Sequence, residues 1–519
     1  MTAAPRVQER IAGTGGPVPP VAGELDWASL RALGMKRLTS DSRAVAAGDT
    51  FVAYPGENRD GREFIPDAIA RGAGSVLWER RGYAWRAEWR VKNLGVAHLR
   101  RNAGEIAGAV YGRPSSRLWM IGVTGTNGKT SCSHWTAQAL TRLDRKCGVI
   151  GTLGSGAPGR LEPLANTTPD AVWLQGRLRD FLRQKTAAVS MEVSSHGLAQ
   201  DRVSGVEFDV ALFTNLTRDH LDYHGTMRSY RNAKARLFRT PGLKWAVLNL
   251  DDRFGVELTE QVARGVSVLG YGFSRALPPA LRGRRIPRLI GRDLAMGPDG
   301  VAFDVATPWG DVHVESPLVG RFNAANLLAT LGVLLASDCP LEAAAGALSK
   351  VRPVPGRTER YGGGRRPLVI VDYAHTPDAL ENVLRALREL MSVRGDGGSG
   401  REAKLVCVFG CGGDRDRGKR PLMGRIATRL ADEVIVTSDN PRSEDPHTII
   451  TDILAGITAQ CAIAPDRSQA IRAAIASARA GDVVLVAGKG HEQYQEIAGI
   501  KHPHSDAAVV RAALAERAG

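Results

Sequence analysis

At 519 residues the chain is too long for one ordinary hydrophobic core, which excludes a single small module and implies roughly two to four domains. Hydrophobic residues at 43% and charged residues of both signs at 24% mark a soluble globular protein. The formal net charge of +15 favours an anionic partner, with three readings open: a basic solvated surface, nucleic acid, or a phosphate-rich small molecule.

No zinc-finger spacing or aromatic cluster supports nucleic acid. The six cysteines, at 132, 147, 339, 407, 411 and 461, form no CxxC pair. They predict neither a zinc site nor a disulfide framework, and fit reduced thiols in a cytosol. No run of about 18 apolar residues suggests a membrane span or a membrane partner.

Residues 1–25 lack an apolar signal core and are expected to be a flexible leader. Residues 26–113 mix strand-like pieces (TFVAY, SVLWE) with a helix-like one (EFIPDAIARG), and GRPSSR at 112–117 is the boundary. In residues 114–355 the runs LWMIGV, AAVSMEV, VALFTN and WAVLNL alternate with helical stretches, which predicts a doubly wound, mostly parallel α/β domain. Residues 356–519 repeat the pattern with PLVIVDY, KLVCVFG, EVIVTS and DVVLVAG. The glycine-rich 393–403 reads as a mobile loop. Three domains in a row are expected, the first a smaller α/β unit and the last Rossmann-like.

GVTGTNGKTSCSHW at 122–135 leaves a strand and enters a helix, the context of a phosphate-binding loop. Gly125, Thr126, Asn127 and Gly128 would bring backbone N–H groups to phosphate oxygens. Lys129 would place a charge on the β/γ-phosphates and the Thr130 hydroxyl would ligate Mg²⁺. Five residues separate Gly122 from Gly128, where the common pattern has four.

MEVSSHGLAQDRV ends a strand on Glu192, a carboxylate placed for a metal unless it is a surface or capping residue. Asp219, His220, Asp222 and His224 crowd the exit of another strand, ahead of Lys234. Ligands gather at the carboxyl ends of strands in doubly wound sheets, which would unite these segments. TSDNPRSEDP at 437–446 poses a separate question, because a bare turn needs Asn440 and Pro441 but not Arg442.

Taken with GRFNAANLLAT, GRTER, VDYAHTPDAL, FGCGGDRDRGKRPLMG and AGKGHE, these segments resemble the Mur ligases over about residues 38–510. These are ATP-dependent amide-forming enzymes of peptidoglycan synthesis, and the likeness is to their diaminopimelate-adding branch. The resemblance implies ATP and Mg²⁺, a UDP-N-acetylmuramoyl dipeptide and meso-diaminopimelate as substrates, a cytoplasmic monomer, and an acyl-phosphate route. It implies Thr130, Glu192, His220 and a carbamylated Lys234 around the metals, although a plain surface lysine is the simpler reading of Lys234. Asn323, Arg357, Asp372 and His375 match nucleotide-binding positions. Ser42 and Asn58 match the uridine diphosphate end, and Asn166, Thr167, Thr168, Ser194, Gln200 and Arg202 the muramoyl-peptide part.

In that branch the DNPR motif, here Asp439, Asn440, Pro441 and Arg442, holds the incoming amino acid, with Arg415, Gly488 and Glu492 completing the pocket. The chemistry agrees. Diaminopimelate differs from lysine by a carboxylate and its stereocentre, and a guanidinium grips a carboxylate with two parallel bonds where an ammonium cannot. Asp439 would face a substrate ammonium, and Pro441 would stiffen the loop. A lysine-adding relative should lack Arg442, a folylpolyglutamate synthetase has no use for DNPR, and a nucleic-acid-stimulated NTPase or a nucleotide-binding scaffold are the readings outside this chemistry.

Overall fold

The computed structural model describes residues 25–57, 59–297, 300–394 and 402–517. Asn58, the leader to residue 24 and the centre of the glycine-rich stretch, 395–401, lie outside the described residues.

Three sheets follow one another along the chain. The first is parallel throughout, in the order β1 (Leu38–Thr39), β2 (Thr50–Ala53), β3 (Ser75–Glu79) and β4 (Lys92–Val96). The helix α1 (Leu99–Val110) buries Leu99, Ala103, Ile106 and Ala107 along one stripe, the 3.6-residue spacing its sequence shows.

The second sheet has eleven strands. Its middle is β5 (Trp119–Thr124), flanked by β9 (Ala188–Glu192) and β10 (Val210–Phe213), all parallel. Every residue of these three strands is buried, because helices cover both faces and no alternation is needed. Beyond β9 lie β6 (Cys147–Gly151), β7 (Gly154–Ala157) and β8 (Arg160–Glu162); beyond β10 lie β11 (Trp245–Asn249), β12 (Ser267–Gly272) and β13 (Arg288–Gly297). The sheet closes on β14 (Gly300–Thr307) and β15 (Gly310–Ser316), which pair antiparallel with β13 and with each other.

The β13–β15 ribbon is additional to the strands expected from sequence. Its β15 alternates buried and exposed positions, since only one face reaches the core. The helix α2 (Lys129–Arg142) leaves β5 and packs on α3 (Arg321–Ala336), which is buried almost all round between the sheet and its neighbours.

The third sheet runs β16 (Glu359–Gly362), β17 (Leu368–Asp372), β21 (Val483–Ala487), β18 (Leu405–Phe409), β19 (Glu433–Val436), β20 (Ala462–Ile463). All its pairs are parallel except β16–β17. Two apolar clusters fill its faces, one around Leu380, Leu384 and Ile453 and the other around Ile471, Ile475 and Leu514. A separate hairpin, β22 (Tyr494–Ile497) and β23 (Ile500–Pro503), lies beyond β21. No helix among the described residues is long and apolar enough to cross a membrane.

Candidate active site

The carboxyl ends of the second sheet and of β17, β18 and β21 face one cleft of about 1540 Å³. On its floor the loop after β5 turns into α2. Gly128 has φ +83°, and a Cβ there would come within 2.5 Å of the Asn326 Oδ1, so only glycine permits that approach. Asn215, just past β10, clamps the loop from below: its Oδ1 accepts from Asn127 N at 2.9 Å and its Nδ2 donates to Asn127 O at 3.1 Å.

Glu192, at the end of β9, is fully buried. Its carboxylate accepts from the Thr130 hydroxyl at 2.9 Å, from Thr152 N at 2.8 Å and from the Thr152 hydroxyl at 3.1 Å. The third sheet reaches into the same spot, where Arg357 Nη2 donates to Thr130 Oγ1 at 2.9 Å. The Arg357 guanidinium also lies 4.5 Å over the Tyr373 ring, which packs on His491. Burial pushes His134 down to about 4 and His491 to about 3, so both line the cleft as neutral imidazoles at physiological pH.

Two lysines share one acceptor. Lys129 Nζ donates to Gly125 O at 2.9 Å and to Thr126 O at 2.8 Å, while Lys234 Nζ donates to the same Gly125 O at 2.7 Å. Lys234 is 1% exposed. Burial, reinforced by the Lys129 charge, holds its amine well below the usual lysine range. Burial lowers Lys129 as well, and two ammoniums on one carbonyl repel in this dry site.

Asp219 stands where the second and third sheets meet. His220 Nε2 is 3.3 Å from its carboxylate, His375 Nε2 3.7 Å and the buried Lys419 Nζ 3.9 Å. Burial opposes the Asp219 charge, but His375 and the neighbouring cations outweigh it and hold the carboxyl well below its usual range. Burial keeps His220 neutral, and His196 stacks edge-on against it at 4.7 Å. Nearby, Arg218 forks onto Asp416 at 2.8 and 2.9 Å, and Asn127 Nδ2 donates to Asp378 at 2.9 Å. These bonds tie the second sheet's loops to the third domain.

One arm of the cleft runs toward the first domain past Asn166, Thr167 and Thr168. Thr168 Oγ1 donates to Glu192 O at 2.9 Å, and Arg202 Nη1 donates to Thr168 O at 2.9 Å. Burial lowers the Arg202 guanidinium, marking it as a cation short of solvent. Ser194 caps the short helix after β9 and also lines the arm. Ser40 joins the first domain to this arm through Asp170 at 3.0 Å.

At the other end Arg442, Arg415 and Glu492 line the cleft. Arg442 has φ +53° and is held by main-chain pairing to the hairpin: its N–H donates to Glu496 O at 3.0 Å and its carbonyl accepts from Ala498 N at 2.7 Å. Its Nη1 donates to Gly413 O at 2.7 Å, and its Nε lies 3.5 Å from the Glu496 carboxylate. Asn440 Nδ2 donates to Glu492 Oε2 at 2.8 Å.

Some residues singled out from sequence do not line this cleft. Asp439 packs its carboxylate where a Cβ on Gly488 would stand 2.5 Å away, turned toward Lys489. The absence of a side chain at Gly488, at φ +120°, permits this fit. Asp372 accepts from Thr358 N at 2.7 Å and acts as an anchor for the GRTER turn. Asn323 donates to Val319 O at 2.9 Å inside α3, and the amide pressed on the phosphate loop is Asn326, three residues further along the same face. Gln200 bonds the Tyr223 hydroxyl at 3.2 Å, and Ser42 is the buried first residue of a 3-10 turn in the first domain.

Reading the sequence missed Asn215, Thr152, Asp378, Lys419 and Lys489. Asn326 could have been found by following Asn323 one turn along α3. The others meet their partners only through the fold.

Among the described residues no three His, Cys, Asp or Glu side chains converge on a metal-sized point. Magnesium is the ion such a donor set still suits, because it keeps several waters and needs one or two protein oxygens beside substrate phosphates. The contacting Thr130 hydroxyl and Glu192 carboxylate provide those oxygens.

Three family profiles cover the chain: the Mur ligase family, catalytic domain over 35–111, the Mur ligase middle domain over 123–334, and the Mur ligase, glutamate ligase domain over 356–490. UDP-N-acetylmuramoyl-L-alanyl-D-glutamate–2,6-diaminopimelate ligase of Nitrosomonas europaea is 52% identical over 494 residues, covering 93% of this chain and 94% of that protein. The like-named protein of Chromobacterium violaceum is also 52% identical, covering 94% and 97%. A solved structure of an enzyme of that name aligns with TM-score 0.64 at 37% identity, over 93% of this chain and 96% of its own. MurF ligase from Thermotoga maritima, solved in complex with ADP, shares the fold at 18% identity and TM-score 0.62, covering 93% and 97%.

Proposed function

The chain belongs to the Mur ligase family, and from that premise we propose that it is the ATP-dependent ligase that joins meso-diaminopimelate to UDP-N-acetylmuramoyl-L-alanyl-D-glutamate in peptidoglycan precursor synthesis. One observation carries the reading beyond likeness. Arg442, Arg415 and Glu492 open onto the same cleft as Lys129, Thr130 and Glu192, so an amino acid held by the first group meets a phosphoryl group held by the second.

The reaction has two steps. A carboxylate is a poor acyl donor because its oxygen leaves badly. The D-glutamyl γ-carboxylate oxygen therefore attacks the γ-phosphorus of ATP, the P–O bond to ADP breaks, and an acyl phosphate forms. The free amine of diaminopimelate then attacks the acyl carbon, phosphate leaves with the electron pair of the C–O bond, and the nitrogen loses a proton. Gly125 to Gly128 and Lys129 bind the triphosphate and offset the charge that grows on it. Magnesium, bound by Thr130 and Glu192 with His220 serving a second ion, would supply Lewis-acid neutralisation of the phosphate oxygens.

Lys234 supports a further part of the reading. A neutral buried amine can add to CO₂, releasing a proton and leaving an N-carboxylate, which turns a lysine that would repel magnesium into an anion that draws it. Thr168, Asn166, Arg202 and Ser194 would align the muramoyl peptide, and the first domain, with Ser42 and the turn around Asn58, the uridine diphosphate. Arg357 and His375 bring the third domain to the nucleotide, with Asn323 and Asp372 behind them, and Arg442 would fork onto the distal carboxylate of the amino acid. Because the acyl phosphate hydrolyses, the cleft must exclude water while the amine arrives, a task for closure of the third domain onto the second. Six free cysteines fit work in the reducing cytoplasm, where we place it as a monomer.

The test supplies purified protein with ATP, Mg²⁺, the UDP-muramoyl dipeptide and either meso-diaminopimelate or lysine. ADP and phosphate should be released only when both substrates are present, with strong preference for diaminopimelate. Equal use of lysine would remove the specificity assigned to Arg442.

A further inference from the structure

Beneath the amino-acid end of the cleft lies a lysine that none of the roles above employs. Lys489 follows the β21 strand, is fully buried and does not reach the cleft surface. Its Nζ donates to Glu492 Oε2 at 2.7 Å and to Asn440 Oδ1 at 2.9 Å, and stands 3.9 Å from Asp439 Oδ1. Asn440 closes the ring by donating through Nδ2 to the same Glu492 oxygen at 2.8 Å.

We propose that Lys489 is a positioning residue for the amino-acid substrate: it fixes the Glu492 carboxylate and the Asn440 amide in the one arrangement that leaves Glu492 Oε1 free to receive the substrate's ammonium. This rests on the reading that Glu492 and Asn440 hold that substrate.

The hydrogen-bond roles allow no other arrangement. Lys489 only donates, so the oxygen of Asn440 must face it and the amide nitrogen must face Glu492. Glu496 N–H, from the hairpin, donates to the same Asn440 oxygen at 2.9 Å and locks the amide against a flip. Glu492 Oε2 thus takes two donors, which keeps that oxygen turned inward. Lys489 also supplies a charge that lets two acids, Asp439 and Glu492, stay together in a dry pocket. Arg467 assists from below through Ser438 O at 3.2 Å and Ala487 O at 2.9 Å, while its own charge is taken up by Asp506 at 2.7 Å. Without Lys489 the Glu492 carboxylate would turn toward any available donor and lose its fixed direction into the cleft.

A mutant cycle of Lys489→Met and Glu492→Gln tests this by steady-state kinetics, varying each substrate in turn. Lys489→Met should raise the KM for diaminopimelate about 20-fold, the loss of a hydrogen bond to a charged group, with kcat and the KM for ATP changed less than about threefold. Glu492→Gln should do the same. The double variant should be no worse than Glu492→Gln alone, because Lys489 acts through that carboxylate. Should the single lysine variant fail to fold, comparing the double variant, whose lost charges balance, with Glu492→Gln still decides. An unchanged KM in Lys489→Met, or a further tenfold loss in the double variant, overturns the proposal. If the parent protein does not consume diaminopimelate at all, the proposed function falls instead, and the two failures are told apart by that control.

Discussion

Lys234 and Lys489 are buried to the same degree, yet they live under opposite conditions. Lys234, at the nucleotide end, has one carbonyl partner that it shares with Lys129 and a Tyr230 ring 4.4 Å from its nitrogen. Lys489, at the amino-acid end, is enclosed by Glu492, Asn440 and Asp439. A cation short of anions is pushed toward the neutral amine, whereas a lysine enclosed by acids is pinned by them and holds its neighbours still.

The sharpest way to break the comparison is Lys234→Ala. Activity should fall about 10³-fold, as when a group that stabilises transferred charge is deleted, and part should return with millimolar formate or acetate. Thermal unfolding of that variant should show no loss of stability, since an under-compensated buried amine has gone. Full activity would make Lys234 incidental. Lys489→Met should do the reverse to stability and lower it by about 3 kcal/mol in urea denaturation, because two acids lose their shared cation.

A smaller effect is expected for Arg442→Lys, which keeps the charge but loses the fork. The KM for diaminopimelate should rise about 30-fold while the KM for ATP stays put. The smallest concerns the anchor of the same loop. Glu444 accepts from Arg420 at 2.8 and 3.0 Å and from Asp414 N at 2.6 Å, and the Arg420 bonds pull its carboxyl from 4.5 down to about 2. A lowered carboxylate contributes stability above its unfolded value, and that contribution is lost as pH falls from about 4.5 through about 2. Glu444→Gln should therefore cost about 2 kcal/mol at neutral pH and flatten the acid limb of stability in that window, read by denaturant titration at several pH values.

Much of the architecture was legible in the chain itself. The runs WMIGVT, AVSME and VALF are mostly apolar and show no polar alternation, as strands buried on both faces allow, and they became the centre of the second sheet. The ribbon after β12 was less visible, because its alternation is spread over strands that carry many charges. At the site, the strand–loop–helix context placed Lys129 and Thr130, and strand ends placed Glu192. Contacts such as Arg357 on Thr130 or Arg218 on Asp416 join residues roughly two hundred apart and leave no local trace. Asp439 shows the opposite case. Its neighbours in DNPR suggested a ligand contact, but the missing side chain at Gly488 draws it inward. Residue type set the chemistry, and only the fold set which way each group points.

The DNPR loop is sewn to the β22–β23 hairpin by backbone bonds on both sides of Arg442, whose left-handed conformation survives on that support. An engineer who transplants the tetrapeptide into a lysine-adding homologue would move the letters without their scaffold. On the proposed role of Arg442, redirecting selectivity requires exchanging the 488–503 segment as a cassette together with 439–442, since the hairpin's backbone bonds hold that arginine in place.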